Sequence, residues 1–465
     1  MRLFEGREDI MVFISTRRVF ALLLSMFLCV LPLHLQAQSV QHPPLLVEQS
    51  LQVLVGSRED RDKNLAIFEQ RGKTDVVPAL IQALRFQPNS TQLRSTLVSL
   101  TGQPDQSWGD WMLWQEEHPE IKPFDGFDVF KARVSQLIDP NFADFLYPGV
   151  RHSIRLEEIA WGGVHKDGIP SLDNPGMIPA TKADYMRNDD LVFGISINGD
   201  TRAYPLRIMN WHEMLNDVIG GVPVALAYCT LCGSGILYET DLEDAKEPMV
   251  FGSSGFLYRS NKLMFDRRTH SLWNQFTGRP VVGTLTGTDL ELKTRPVTIT
   301  SWEQWKAHYP KTTVLDIDTG HQRDYGSGVA YREYFASPEL MFPALVDQSE
   351  HAAKSYVFVL RLQGKEQAWP LSKFRDGHVI QDNVGGQKVI LIGNGKTRTV
   401  RAYAGNGEAF SLSGKADYLE SDSGNWEITE DALVSDDGHK LKRLPGHISY
   451  WFAWNNYSQS GAFAD

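Results

Sequence analysis

The chain has 465 residues, of which 42% are hydrophobic and 22% are charged, and its formal net charge is −11 at pH 7. A chain of this length can bury large cores and is expected to form two or three domains. The negative charge argues against nucleic acid as a partner, because phosphate backbones are bound by basic surfaces.

Residues 1–37 have the features of an export signal. Arg17 and Arg18 precede the apolar run 19–33, and Ala37 ends an acceptable small-residue cleavage site. The run is shorter than the roughly 20 residues of a membrane span, and no later segment approaches that length. We therefore predict an exported protein, periplasmic or secreted, with no transmembrane segment beyond the signal. An uncleaved signal would instead leave the protein anchored.

Export changes how the cysteines are interpreted. The chain has 3 cysteines, and Cys29 lies within the predicted signal, so the mature protein keeps Cys229 and Cys232. In an oxidising compartment a bare dithiol would oxidise. The pair is therefore expected to be a disulfide, part of a redox cycle, or protected by a bound metal.

Residues 44–145 are predicted to form a helical N-terminal region. Thr74 is the predicted N-cap of a helix whose apolar residues recur at i, i+3, i+4 and i+7, namely Val77, Leu80, Ile81 and Leu84. A second set of leucines repeats this spacing after a short break, and the paired short helices resemble HEAT-type repeat units.

From residue 150 onward, short β-like runs alternate with glycine and proline turns. An Asn198-Gly199 hairpin is predicted, and a helix after Pro205 is predicted to carry Ile208, Trp211, His212 and Leu215 on one face and to end at Gly220-Gly221. The next run, from Val222 to Tyr228, is predicted to be a strand that leads directly into Cys229.

Two segments of this β-rich region match each other without a gap, residues 191–206 and residues 356–371. The same register places Asp217 on Asp382, and further on Trp302-x-x-Trp305 corresponds to Trp451-x-x-Trp454. We predict an α+β fold: a duplicated, mainly antiparallel, β-rich domain with short helices, preceded by the helical region. The first repeat spans residues 150–320, and residues 321–465 hold a linker and a second, degenerate repeat.

The second repeat lacks the residues that suggest chemistry in the first. His212 corresponds to Gly377 and Cys229 to Asn394, so only the first repeat can carry a cysteine site. The second repeat is expected to cover or shape that site.

Several motifs of the β-rich region resemble one known family. They are Asp167-Gly168-Ile169-Pro170, Trp211-His212-Glu213, Tyr228-Cys229-x-x-Cys232-Gly233, Phe251-Gly252-x-Ser254-Gly255, Asn261-x-x-Met264-x-Asp266-Arg267 and Ser271-Leu272-Trp273-x-Gln275. Over residues 150–460 the chain is similar to domain-of-unknown-function family 3179. Thr230 stands where that family usually has proline. The resemblance implies an architecture and a list of residues, because the family has no established activity.

The first functional hypothesis is an exported metal-binding protein of unknown activity. Cys229, Cys232 and His212 are the predicted ligands, with Met264 as a fourth. Thiolate, imidazole and thioether together favour a copper ion over hard cations, and a zinc ion is the other cofactor considered. Tyr258, Asn261, Asp266 and Gln275 are predicted to line a pocket or to orient the ligands.

Two alternatives remain open. In a thiol–disulfide oxidoreductase, a helix after the Cys-x-x-Cys lowers the thiol pKa, but Ile236-Leu237-Tyr238 is predicted to be strand. In a non-catalytic scaffold, the cysteines form a structural disulfide and the protein binds a small molecule or another protein.

Overall fold

A computed structural model describes residues 45–242, 246–375 and 377–459. The predicted export signal, residues 1–37, lies outside the described residues. Within the described ranges, no helix combines the length and the apolar character needed to cross a membrane.

The N-terminal part of the described chain is helical, as predicted. Its α-helices are α1 (Leu45–Val55), α2 (Arg58–Arg71), α3 (Val77–Phe86), α4 (Thr91–Thr101), α5 (Trp108–Glu117) and α6 (Phe127–Ile138). The apolar residues predicted to share one helix face are buried in α3. Thr74 is not an N-cap, because it is the first residue of the 3-10 turn Thr74–Val76. Asp75, inside this turn, accepts a hydrogen bond from the preceding Arg71 at 2.6 Å. The HEAT-like character of these helices stays a prediction.

The first β-rich part contains strands β1 to β15 and helices α7 (Leu206–His212) and α8 (Trp302–His308). The strands are β1 (Ile159–Trp161), β2 (Leu172–Asp173), β3 (Met177–Pro179), β4 (Leu191–Ile197), β5 (Asp200–Pro205), β6 (Met214–Ile219), β7 (Val222–Cys229), β8 (Ser234–Glu239), β9 (Phe251–Tyr258), β10 (Asn261–Asp266), β11 (Leu272–Asn274), β12 (Pro280–Val282), β13 (Thr294–Arg295), β14 (Thr298–Ser301) and β15 (Thr313–Leu315). They form sheet A (β1-β9-β10-β11-β12), sheet B (β13-β8-β7-β6-β2) and sheet C (β14-β4-β5-β15-β3).

Sheet B lies between two hydrophobic clusters because its side chains alternate along each strand. Ala225, Ala227 and Cys229 of β7 belong to the cluster shared with sheet A and the N-terminal helices. Leu226 and Tyr228 belong to the opposite cluster, which also contains residues of the second β-rich part. Cys229 therefore points toward sheet A.

The turns of this region follow the sequence with one correction. The hairpin at Asn198-Gly199 is confirmed, and both residues have positive φ, 51° and 83°, as a tight hairpin turn requires. The predicted helix after Pro205 is shorter than expected, since α7 ends at His212. Glu213 takes a φ of 57°, which ends the helix, and Leu215 lies in β6 opposite Leu226.

The second β-rich part contains helices α9 (Arg332–Ala336) and α10 (Trp451–Gln459) and strands β16 to β26. The strands are β16 (Tyr356–Leu362), β17 (Lys365–Pro370), β18 (His378–Val384), β19 (Gln387–Asn394), β20 (Thr399–Ala404), β21 (Ser411–Leu412), β22 (Tyr418–Ser421), β23 (Gly424–Ile428), β24 (Ala432–Ser435), β25 (Lys440–Leu444) and β26 (Gly446–Tyr450). They form sheet D (β17-β16-β26) and an eight-stranded sheet E (β18-β19-β20-β25-β24-β23-β22-β21).

The two β-rich parts use the same polar arrangement at corresponding positions. Asp217 accepts hydrogen bonds from Arg202 at 2.9 Å and from the Tyr204 hydroxyl at 2.6 Å. Asp382 accepts them from the side chains at the matching positions, Gln367 at 2.7 Å and Trp369 at 3.0 Å. Each aspartate also accepts from the next backbone N–H, at 2.7 and 2.8 Å. The duplication itself stays a prediction.

These two aspartates give a matched prediction for stability. Asp217→Asn is expected to lower the free energy of unfolding by about 2–3 kcal/mol, because it removes a charge-assisted bond to the half-buried Arg202 and weakens the pairing of the buried Tyr204 hydroxyl. Asp382→Asn is expected to cost about 1 kcal/mol, because its side-chain donors are neutral. Chemical denaturation of both variants checks the difference, and equal losses would contradict it.

Candidate functional site

The Cys-x-x-Cys segment closes the hairpin between β7 and β8, and its two cysteines form a disulfide. Their Cα atoms lie 5.2 Å apart, and Cys229 pairs with Ser234 across the hairpin. Both residues are buried, with exposed fractions of 3% and 0%. The strand predicted after the second cysteine is confirmed as β8, so the turn opens into a strand and not into a helix.

Gln275 clamps this hairpin from the side of sheet A. Its amide nitrogen donates to the backbone oxygens of Ala227 at 2.8 Å and Ser234 at 3.1 Å, and its oxygen accepts from the Ser234 hydroxyl at 3.1 Å. Because these contacts join both strands next to the disulfide, Gln275 fixes the turn from outside.

The other three predicted pocket residues have different surroundings. Asp266 caps a tight turn by accepting from the backbone of Thr269 at 2.6 Å and from the Trp273 indole at 3.0 Å. Tyr258 is buried at the end of β9, where its backbone oxygen accepts from the Tyr457 hydroxyl at 2.9 Å. Asn261 is fully buried in β10, next to Ser260, whose backbone oxygen lies 3.4 Å from the sulfur of Cys232.

The second β-rich part and the linker cover the cysteine turn. The backbone N–H of Tyr450 donates to the oxygen of Cys232 at 2.8 Å, and the Tyr334 hydroxyl donates to the oxygen of Leu231 at 2.7 Å. Gly233 has a φ of 60°, and a Cβ there would lie 3.0 Å from the ring of Tyr356. The tyrosines therefore pack on backbone that only glycine leaves accessible.

His212 uses both ring nitrogens away from the cysteines. Nδ1 lies 2.9 Å from the oxygen of Pro170, and Nε2 lies 2.6 Å from the Tyr325 hydroxyl. Burial lowers the pKa of His212 to about 4, so the ring is neutral at physiological pH. A backbone carbonyl can only accept, so Nδ1 carries the proton and Nε2 accepts from Tyr325.

The structure does not assemble the predicted metal ligands into one centre. Met264 lies on the face of β10 opposite Phe265, which packs on Phe145 of the helical region, so Met264 faces sheet B. Cys229 and Cys232 belong to the same buried cluster as Met264 but are joined to each other. In the part of the chain that is described, no group of three or more His, Cys, Asp or Glu side chains could hold a metal ion.

A buried ion pair lies beside the cysteine strand, and sequence reasoning gave it no role. The Lys262 Nζ lies 2.9 Å from a carboxylate oxygen of Glu213, and the two residues are 3% and 7% exposed. Burial lowers the pKa of Lys262, and the Glu213 carboxylate opposes that change. The backbone oxygen of Glu213 accepts from Tyr228 at 2.7 Å, which places the pair one residue from Cys229. The sequence gave one indication of this ion pair, a single lysine within an otherwise buried strand.

An open cavity of about 650 Å³ lies on the surface at the end of α7. Its lining comes from the 164–169 loop, from α7 and from the linker: Val164, Gly168, Ile169, Asn210, Trp211, Gln322, Arg323, Asp324 and Tyr331. The Trp211 indole donates to the backbone oxygen of Asp324 at 2.9 Å, and the Arg323 guanidinium lies 6.0 Å from the centre of the Trp211 ring. Asn210 accepts from the Tyr228 hydroxyl at 3.1 Å, which connects the cavity to the cysteine strand.

One of three comparisons with known proteins found a match. The family model DUF3179, described as a protein of unknown function, matches residues 166–461, which is more than half of the chain. Neither the comparison with curated proteins nor the comparison with solved structures found a match.

Proposed function

We propose that this chain, which belongs to the DUF3179 family of proteins of unknown function, binds a small molecule in the cavity at the end of α7. In this proposal the Cys229–Cys232 disulfide is structural and keeps the adjoining hairpin rigid. The observation that carries the proposal is the cavity itself, whose volume of about 650 Å³ lies in the range of small-molecule sites.

The lining suggests the kind of molecule that would fit. Trp211 and Tyr331 offer aromatic rings, while Asn210 and Gln322 offer amide groups. Arg323 and Asp324 contribute one charge of each sign, so the lining has no net charge. A polar ligand with one apolar face and a net charge near zero would match these groups, since aromatic rings bind apolar faces and the polar groups fix orientation.

The residues behind the cavity favour ligand binding over thiol–disulfide exchange as the function. The disulfide, the Gln275 clamp and the Glu213–Lys262 pair hold the strand that carries Tyr228, and Tyr228 in turn holds Asn210. A disulfide this buried is poorly accessible to an attacking thiolate, and the strand after Cys232 lacks the helix N-terminus that activates thiols in oxidoreductases.

The proposal predicts that Trp211→Ala abolishes ligand binding without unfolding the protein. The test is a thermal-shift screen of a library of uncharged and zwitterionic small molecules against the wild-type protein. A bound molecule at 100 times its Kd adds about 2.7 kcal/mol to the free energy of unfolding and raises the melting temperature. We expect hits that Trp211→Ala loses and that Trp114→Phe, a change in the helical region, keeps.

An absence of hits, or hits that persist in Trp211→Ala, would contradict the proposal. The second outcome would place the ligand elsewhere in the molecule. The first would leave the cavity without a function of this kind.

We retain a metal site as a second candidate because Met264 and both cysteines are buried in the same hydrophobic cluster. Copper or zinc would require a reduced pair, with His212 released from Pro170 and Tyr325. Elemental analysis of the wild-type protein beside Cys229→Ser and His212→Ala tests this. Near-stoichiometric metal that both variants lose would support it, and wild-type protein without metal would exclude it.

Export is proposed as well, and fractionation of expressing cells tests it.

A further inference from the structure

The outer edge of the β4–β5 hairpin is covered by another strand. β15 pairs in parallel with β5, with Thr313 opposite Arg202 and Val314 opposite Ala203. The residue before β15 is bound as well: the Thr312 hydroxyl donates to the oxygen of Thr201 at 3.0 Å and accepts from the Trp305 indole at 2.9 Å. This edge is therefore closed by backbone pairing and by one hydroxyl placed against a tryptophan.

Among the described residues, the corresponding hairpin of the second β-rich part has an unpaired edge. β17 pairs with β16, and no other strand of the described chain pairs with it. At the position of Thr201 this hairpin has Glu366, and the Trp454 indole, which corresponds to Trp305, donates to its carboxylate at 3.3 Å. The Glu366 side chain thus occupies the role that the Thr312 hydroxyl has in the first part.

A groove of about 560 Å³ follows this open edge. One wall is the edge strand, with Glu366, Gln367 and Ala368, and the floor is formed by Trp451 and Trp454 of α10. Glu350, His351, Pro370 and Lys373 complete the lining. Unpaired backbone groups beside a groove with aromatic side chains are the features of sites that bind a peptide as an added strand.

We propose that this groove binds an extended segment of a partner protein, which adds as a strand parallel to β17. The first part of the molecule indicates the chemistry of the segment: a hydroxyl residue to meet Trp454, followed by residues in the register of Thr313 and Val314. Burial raises the pKa of Glu366 to about 7, and Arg361 lies 3.9 Å from its carboxylate. Glu350 and Lys373 contribute one charge of each sign to the groove, so a segment without a net charge is favoured.

The molecule itself supplies a probe. A synthetic peptide with the sequence of residues 310–317, Pro-Lys-Thr-Thr-Val-Leu-Asp-Ile, contains the segment that closes the first edge, and its lysine and aspartate leave its side chains without a net charge. Fluorescence anisotropy of the labelled peptide measures binding to the full chain. We expect saturable binding that Glu366→Lys weakens at least tenfold, whereas Glu427→Lys, an exposed charge reversal in β23, leaves it unchanged.

Register provides a second, independent readout. With dissolved oxygen as the oxidant, a peptide with cysteine at the Thr313 position is expected to form a disulfide with Gln367→Cys, because Gln367 corresponds to Arg202. A peptide with cysteine at the Val314 position is expected to react with Ala368→Cys instead. Equal trapping at all positions would show contact without strand pairing and would overturn the proposal.

Three further outcomes would also overturn it. The first is no binding to the full chain or to a variant that ends at Gln459. The second is binding only to that shortened variant, which would mean that the chain fills its own groove. The third is a dimer, seen by light scattering, that the peptide dissociates, which would make a second copy the occupant.

Discussion

Lys262→Met is expected to lower the free energy of unfolding by about 3–5 kcal/mol, because it leaves the Glu213 carboxylate buried without its partner. Methionine fills much of the lysine volume, so the loss reports the uncompensated charge and not a cavity. Urea denaturation followed by tryptophan fluorescence measures it.

The double variant Glu213→Gln/Lys262→Met separates charge from packing. It should recover most of the lost stability, because replacing both members of a buried pair is often close to neutral. Arg133→Met is the matched surface control: Arg133 binds Glu48 at 2.6 Å with both side chains exposed, so the change should cost less than about 1 kcal/mol. A Lys262→Met loss as small as that of the control would show that Glu213 is not a buried, charged group.

Glu116→Gln is expected to make the protein more stable than wild type above neutral pH. Burial raises the pKa of Glu116 from 4.5 to about 8; Glu158 and Glu117 act in the same direction, and Arg259 and Arg155 oppose it. Between these two values the folded state binds more protons than the unfolded state, so rising pH removes stability. The Glu116→Gln variant does not lose stability in this way, because glutamine does not ionise. The free energy of unfolding of the variant should therefore exceed that of the wild type by up to about 5 kcal/mol at pH 8.

The sign of this effect is what the measurement checks. Free energies of unfolding of wild type and Glu116→Gln should agree near pH 4.5 and separate progressively up to pH 8. Burial also lowers the pKa of Lys131 to about 7, which acts in the opposite sense above that pH but cancels in the difference between the two proteins. Glu117→Gln, at the exposed neighbouring position, should follow the wild type. Parallel curves for wild type and Glu116→Gln would contradict the raised pKa.

Local patterns predicted much of the fold. Helical spacing gave the buried face of α3, and the Asn198-Gly199 turn gave the β4–β5 hairpin. The strand that leads into Cys229 and the strand after Cys232 were both predicted, because alternating apolar residues identify buried strands. The end of α7 was not predictable, since the helix ends where Glu213 adopts a positive φ, a conformation that usually indicates glycine.

The candidate site was less accessible to sequence reasoning, because its residues meet only in three dimensions. Tyr325 and Tyr331 come from the linker, more than one hundred positions after α7, and no local pattern links them to His212 or Trp211. A disulfide between the two cysteines was one of the three states that the sequence left open, and it is the state that the structure has. Gln275 was named beside them, but its bonds to both strands of the hairpin and the Glu213–Lys262 pair were not predictable, because they depend on how sheets A and B pack.

Native mass spectrometry of the protein purified from expressing cells, with denatured samples alkylated without reductant, tests the central claim most directly. We predict one bound organic molecule on the wild-type chain, its absence from Trp211→Ala, and no alkylation of Cys229 or Cys232. A mass increase equal to one copper or zinc ion, together with two alkylated cysteines, would contradict the claim and establish the metal site instead.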